Sequence, residues 1–241
     1  MRAILVRTGI DHSYGHWNAP IDPESGQFVY VPIPDGKKRY HQGMRRTYRE
    51  IVPALDKFSK KFGIGEIGFP LVLFDKAMHL DPDFQTLTYG DNGQKRGSGI
   101  KQLSQGDILV FYASLRPIAQ AKELTYALVG LYTVLRVTRA DRLPPCRWKE
   151  NAHTRWTPIS PNDVVVDAIA PRSGRLKRCL PIGEWRNKSY RVRREILKKW
   201  GGLSVKDGYI QRSARPPEFL RPKMFLQWFK RQGPVFLRRN N

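Results

Sequence analysis

The segment Gly106-Asp107-Ile108-Leu109-Val110-Phe111-Tyr112-Ala113-Ser114-Leu115 is followed, ten residues on, by Tyr126-Ala127-Leu128-Val129-Gly130-Leu131-Tyr132-Thr133-Val134-Leu135-Arg136-Val137. These two runs decide the fold class. Each is dominated by apolar, β-branched and aromatic residues, the composition of a buried strand. The first is entered through a Gly-Asp turn, and the ten residues between the runs fit a connecting loop. Two long strands in succession predict an antiparallel pair. Gly130 in the middle of the second predicts a bulge or a close approach of another group.

Working outward, Ile4-Leu5-Val6 predicts a first buried strand, its apolar run too short for a signal peptide. Phe28 to Ile33 alternates like a short strand, Phe69 to Phe74 reads as a further apolar strand, and Val164 to Ile169 as another. Residues 47–62 space Tyr48, Ile51, Val52, Leu55, Phe58 and Phe62 as one helical face. Thr47 and Glu50 fit a capping box, Pro53 fits the first turn, and Gly63 fits the C-terminal cap. Residues 190–200, closed by Gly201-Gly202, and residues 223–232 predict two more helices. Residues 90–99 and 140–162 read as loops. With no repeat and no low-complexity linker, the expectation is an α+β fold, a single domain over 1–241 with a mixed central sheet and peripheral helices.

Six Trp, ten Tyr and eleven Phe in 241 residues support a substantial core and exclude a disordered chain. No apolar run approaches the ~20 residues of a membrane helix. Cys146 and Cys179 are too few for a disulfide framework or a zinc site alone, and read as reduced thiols of a cytoplasmic protein. The net charge is +22, and it is uneven. Residues 171–241 hold 20 Lys/Arg against 4 Asp/Glu, net +16, whereas residues 1–170 hold 23 against 17, net +6. Such a field favours polyanions, with DNA, RNA or a nucleotide the leading partner. A solubilising basic surface, or one that meets an acidic protein, is the alternative.

Asp75, His79, Asp81 and Asp83 cluster just after an apolar run. Carboxylates with an imidazole suit a divalent metal or acid–base work. Asp11 and His12, after the first strand, are placed to join them. An Asp-Pro-Asp turn capping its own backbone is the competing reading. Asn151-Ala152-His153-Thr154-Arg155 sets a His and an Arg two residues apart. Arg172-Ser173-Gly174-Arg175 and Gln211-Arg212-Ser213-Ala214-Arg215 combine guanidinium, hydroxyl and backbone donors that suit phosphate. No P-loop, nucleophile elbow or metalloprotease motif is present, so spacing names no reaction, metal or cofactor.

The Gly106–Tyr112 and Val129–Val134 strands resemble the strand pair of the PUA, ASCH and EVE superfamily. That resemblance implies a non-catalytic reader of a nucleic-acid base, with Tyr112 or Trp156 as the stacking ring. A resemblance over most of the chain is to the nucleotide-modification-associated domain family three. It is carried by Ile4 to Gly15, Pro32-Ile33-Pro34-Asp35, His79-Leu80-Asp81-Pro82-Asp83, Gly106-Asp107, Asn151-Ala152-His153 and Arg212-Ser213. The chain departs from that family's pattern at Ile10 and His12, so no role is carried to His12. The resemblance implies a phage or bacterial protein of a nucleotide or DNA-base modification pathway. Asp11, Ser13, His79, Asp81, Asp83 and His153 would then form the catalytic centre. Arg155, Ser173, Arg175, Arg212, Ser213 and Arg215 would hold phosphate.

Overall fold

The computed structural model describes the whole chain except residues 37, 95, 120–122 and 212–214. Chain order runs β1 (Ala3–Arg7), β2 (Pro20–Ile21), β3 (Ile33–Pro34), α1 (Val52–Phe62), β4 (Met78–His79) and β5 (Thr88–Asn92). There follow β6 (Ile108–Pro117), β7 (Thr125–Arg139), α2 (Ala152–Arg155), β8 (Asp163–Ala168) and β9 (Gly174–Pro181). The chain ends with β10 (Gly183–Arg186), β11 (Ser189–Val192), α3 (Arg194–Trp200), α4 (Pro222–Arg231) and β12 (Phe236–Leu237).

The fold is α+β with a mixed central sheet, as the sequence predicts. The β6–β7 pair is antiparallel, and β1 lies parallel to β6 on its other side. Strand β7 is long enough to have two partners on its free edge. Its first part pairs with β9, from Ala127 to Leu131, and its second with β8, from Val134 to Arg139. Strand β5 then extends the β8 edge, and β12 extends β9. Gly130 sits at a register irregularity, and a Cβ there would come 2.4 Å from the Phe84 ring. Only glycine permits that approach.

The sheet is buried on both faces, which is why its strands read as continuous apolar runs. Ile4 and Val6, with Leu109, Phe111 and Ala113, face one core that includes Leu55 and Phe58 of α1. Ala3 and Leu5, with Ile108, Val110 and Tyr112, face the other, closed by Trp200 of α3 and Phe225 and Phe229 of α4. Two of the α1 signals fall where expected. Pro53 lies in the first turn and Gly63 caps at φ +61°. The Thr47–Glu50 box, with the Thr47 amide donating to Glu50 at 3.1 Å, instead starts the 3-10 turn Tyr48–Glu50 that leads into α1, whose own N-cap is Ile51. No helix among the described residues is long and apolar enough to cross a membrane.

Five local expectations need correction. Residues 190–200 are not one helix, since Ser189–Val192 form β11 and α3 begins at Arg194. Residues 140–162 are not all loop, since they hold α2 and the 3-10 turns Ala140–Arg142 and Pro145–Glu150. Phe69 to Phe74 is not a strand: Leu71–Leu73 is a 3-10 turn, with Leu71 82% and Val72 70% exposed. Pro70, which has no N–H to give a ladder, leads into it. Phe28 to Ile33 is not a strand of its own, since Phe28 makes one bridge to Ile21 and only Ile33 enters β3. Residues 90–99 are not all loop, because Gly90, Asp91 and Asn92 pair with β8.

Candidate functional site

Two hairpin-like pairings bring the chemistry together. Antiparallel pairing of β3 with β4 sets His79 opposite Ile33, which leaves Asp35, two residues further on, beside the imidazole. His79 Nδ1 lies 2.9 Å from Asp35 Oδ1. Strands β5 and β8 pair Asn92 with Asp163. The Asp163 carboxylate takes a bond from Asn92 Nδ2 at 3.1 Å and lies 2.6 Å from His153 Nδ1. His153 is aimed by its own helix start. Asn151 caps α2 by accepting from the His153 amide at 2.9 Å.

Asp81 lies between the two rings. Its Oδ2 is 3.7 Å from His79 Nε2 and 3.6 Å from His153 Nε2. Those distances are too long for hydrogen bonds. Both Nδ1 atoms are instead tied to carboxylates, and both Nε2 atoms point at a third. One ligand atom from each of His79, Asp81 and His153 falls within 4.8 Å of the others. With metal–ligand bonds of ~2.1 Å, tetrahedral ligands stand ~3.4 Å apart. Both Asp81–His distances are therefore within a few tenths of an ångström of that spacing, and all three ligand atoms lie within 4.8 Å of one another. An imidazole whose other nitrogen is held by a carboxylate is the usual support of a metal-binding His.

Electrostatics agree with that chemistry. Burial pushes His79 below its ordinary value, and the neighbouring His153 adds to the effect. This favours the neutral ring, in which Nδ1–H given to Asp35 leaves the Nε2 lone pair facing Asp81. Burial alone would raise Asp35, but hydrogen bonds from His79, Tyr40 and Trp156 outweigh it and hold the carboxyl low. The same balance, with His153, Ser160 and Asn92 as donors, holds Asp163 low. Asp81 goes the other way. Burial raises it well above the usual carboxylate range, and Asp91 and Asp83 add repulsion. The Gly90 N–H at 2.8 Å and Asn151 Nδ2 at 3.4 Å relieve only part of this. A cation among the three groups would favour the ionised form.

The cluster opens into a cavity of about 270 Å³. Arg7, Asp11, Tyr14, Tyr89, Asp91 and Asn92 share its lining with the His and Asp groups. The loop after β1 is tied to the cluster directly, since Thr8 Oγ1 donates to the Asp81 carbonyl at 3.1 Å. Asp11 holds that loop: it accepts from the Ser13 and Tyr14 amides at 2.6 and 2.9 Å and pairs with Arg7 at 2.8 Å. Tyr14 is left 54% exposed at the mouth. Trp156 backs the cluster, stacked on His79 at 5.3 Å with its Nε1 donating to Asp35.

A family comparison fits these observations. The profile described as nucleotide modification associated domain 3 matches residues 2–220. The chain belongs to this family. Membership associates it with nucleotide modification. No curated protein and no solved structure matches the chain.

Several residues singled out in the sequence stand elsewhere. Asp11, His79, Asp81 and His153 line one cavity, although β1 has no parallel neighbour carrying His79. Ser13 does not line it. Asp83 is instead a buried partner of Arg155 at 2.9 Å, and neither lines the cavity. Ser173 and Arg175 are not in an open loop. Ser173 is buried and accepts from the Thr133 amide, and Arg175 lies buried in β9 over the Phe28 ring. Arg215 lines a different cavity of about 500 Å³, beside Arg2 and Glu218. That larger cavity holds no convergent metal-ligating group among the described residues. Arg212 and Ser213 fall outside the described residues. Tyr112, a candidate base-stacking ring, is buried with its hydroxyl donating to the Ile210 carbonyl. Sequence reasoning gave no role to Asp35, although Pro32-Ile33-Pro34-Asp35 is among the segments that carry the family resemblance, and none to Asp163, for which no local signal existed. It also missed Arg7, Tyr14, Asp91 and Asn92, which only the sheet's edge assembles.

Proposed function

We propose that the protein is a divalent-metal-dependent enzyme that modifies a base of a nucleotide or nucleic acid. His79, Asp81 and His153 are its metal ligands, and Asp35 and Asp163 are positioning residues. The observation that carries this reading is the pair of anchored imidazoles whose free Nε2 atoms face one carboxylate. Two His and one carboxylate on a first-row metal leave positions open for substrate or water. A bound metal of this kind supplies Lewis acidity and an activated water. The cavity, at the small end of the ~300–1,000 Å³ of ligand sites, suits a base better than a whole nucleotide. Tyr14 offers a ring face at the mouth, and Asp91 and Asn92 offer hydrogen-bonding groups to a base edge.

Equilibrium dialysis of the full chain against Zn²⁺, Mn²⁺ or anaerobic Fe²⁺ tests it. At least one should bind at one ion per chain, and His79→Gln and Asp81→Asn should each abolish that binding. If the wild type retains none of the three, or both variants bind like the wild type, the proposal fails.

A further inference from the structure

We infer that the β10–β11 hairpin is a stacking site for single-stranded nucleic acid, so that the pocket receives a base carried within a strand. This rests on the metal-site reading for its destination, but the surface itself is independent of it. Trp185 is 48% exposed, although it is the largest side chain type available. It is held rigidly. Its cross-strand neighbour is Tyr190, whose ring meets it edge-on at 5.0 Å. Tyr190 in turn stacks on Tyr126 at 4.2 Å and 20°. The Tyr126 ring lies under the Arg7 guanidinium at 5.7 Å. Arg7 lines the metal-site cavity. A continuous chain of rings therefore connects the cavity wall to an exposed indole.

The hairpin and the helix that follows it in the chain are rich in cations. Residues 183–199 carry seven Lys/Arg and two Asp/Glu. Arg186 pairs with Glu184 at 2.7 Å and with Asp207, Arg191 lies 3.6 Å from Asp207, and Arg193 pairs with Glu195 at 3.5 Å, so the cations left over are the exposed ones. Lys188 at the hairpin turn and Arg194, Lys198 and Lys199 on α3 are exposed. A fixed aromatic face among phosphate-seeking cations is the recurring design of single-strand binding, because every base has a face to stack. A duplex keeps its bases stacked inside and offers no such face.

The test is fluorescence anisotropy of the metal-free full chain with a labelled single-stranded 12-mer. Trp185→Ala should weaken binding about tenfold, and Trp185→Phe should stay within about threefold of wild type. Val72→Ala, which removes another exposed apolar group, should change nothing. Trp185→Ala equal to wild type would overturn the inference, as would equal binding of the duplex or of a Glu-rich peptide. Metal binding, measured in parallel, should be unaffected by Trp185→Ala. A wild type that binds no metal but keeps the Trp185 effect overturns the metal reading and leaves the hairpin site standing.

Discussion

Replacing Gly90 with alanine strikes the candidate centre without substituting a ligand. A Cβ at this position would lie 2.3 Å from His153 Cδ2 and 2.6 Å from Asn151 Oδ1. Neither neighbour is free to yield. His153 is pinned by Asp163, and Asn151 is the cap of α2 and a donor to Asp81. The insertion should therefore displace His153 from Asp81. Overpacking of this kind costs roughly 1–3 kcal/mol, which in a chain of this length lowers Tm by about 2–4 °C per kcal/mol. Losing the support of one ligand costs roughly 10–100-fold in metal affinity. Gly65→Ala is the control, since nothing lies within 4 Å of its would-be Cβ. Differential scanning calorimetry and metal titration, run on the same preparations, separate the two effects. Gly90→Ala should show both a lower Tm and weaker metal binding, and Gly65→Ala neither. A variant that loses stability but binds metal like the wild type would refute His153 as a ligand.

Two further outcomes concern stability. Asp83→Asn removes one partner of the buried pair with Arg155 and should cost about 3–5 kcal/mol in urea unfolding; a loss below ~1 kcal/mol would show that the pair is not a structural anchor. Burial would raise Asp167, but Arg147 at 2.6 Å and Arg136 outweigh it and hold the carboxyl below its ordinary value. Stability from this contact is therefore complete above the unfolded carboxyl range and falls as pH drops through about 4 and below. Arg147→Met should lower the urea midpoint at pH 7 and flatten its decline between pH 5 and 3, and an unchanged slope would refute the assignment.

The residues alone determined the sheet's centre and the ends of its first helix. The Ile108–Leu115 and Tyr126–Val134 runs are apolar but for Ser114 and Thr133 because the sheet is covered on both faces, so burial is written into nearly every position. Gly63 is legible for a different reason, because a C-cap acts within one turn; the Thr47–Glu50 box is equally local but starts the 3-10 turn ahead of the helix. The His79-x-Asp81 pair and His153 could be picked out by residue type. Their union could not, nor could the choice of Asp35 and Asp163 as the carboxylates that orient them. Those choices depend on the register of β3 with β4 and of β5 with β8, and register is a property of paired strands, not of either one. The arginines show the same limit. Arg155, Arg175 and Arg215 look equivalent as sequence, yet tertiary packing gives one a buried carboxylate, one an aromatic ring and one a separate cavity. A guanidinium's role is set by what the fold places within hydrogen-bonding distance of it, and that distance is decided only when remote segments pack.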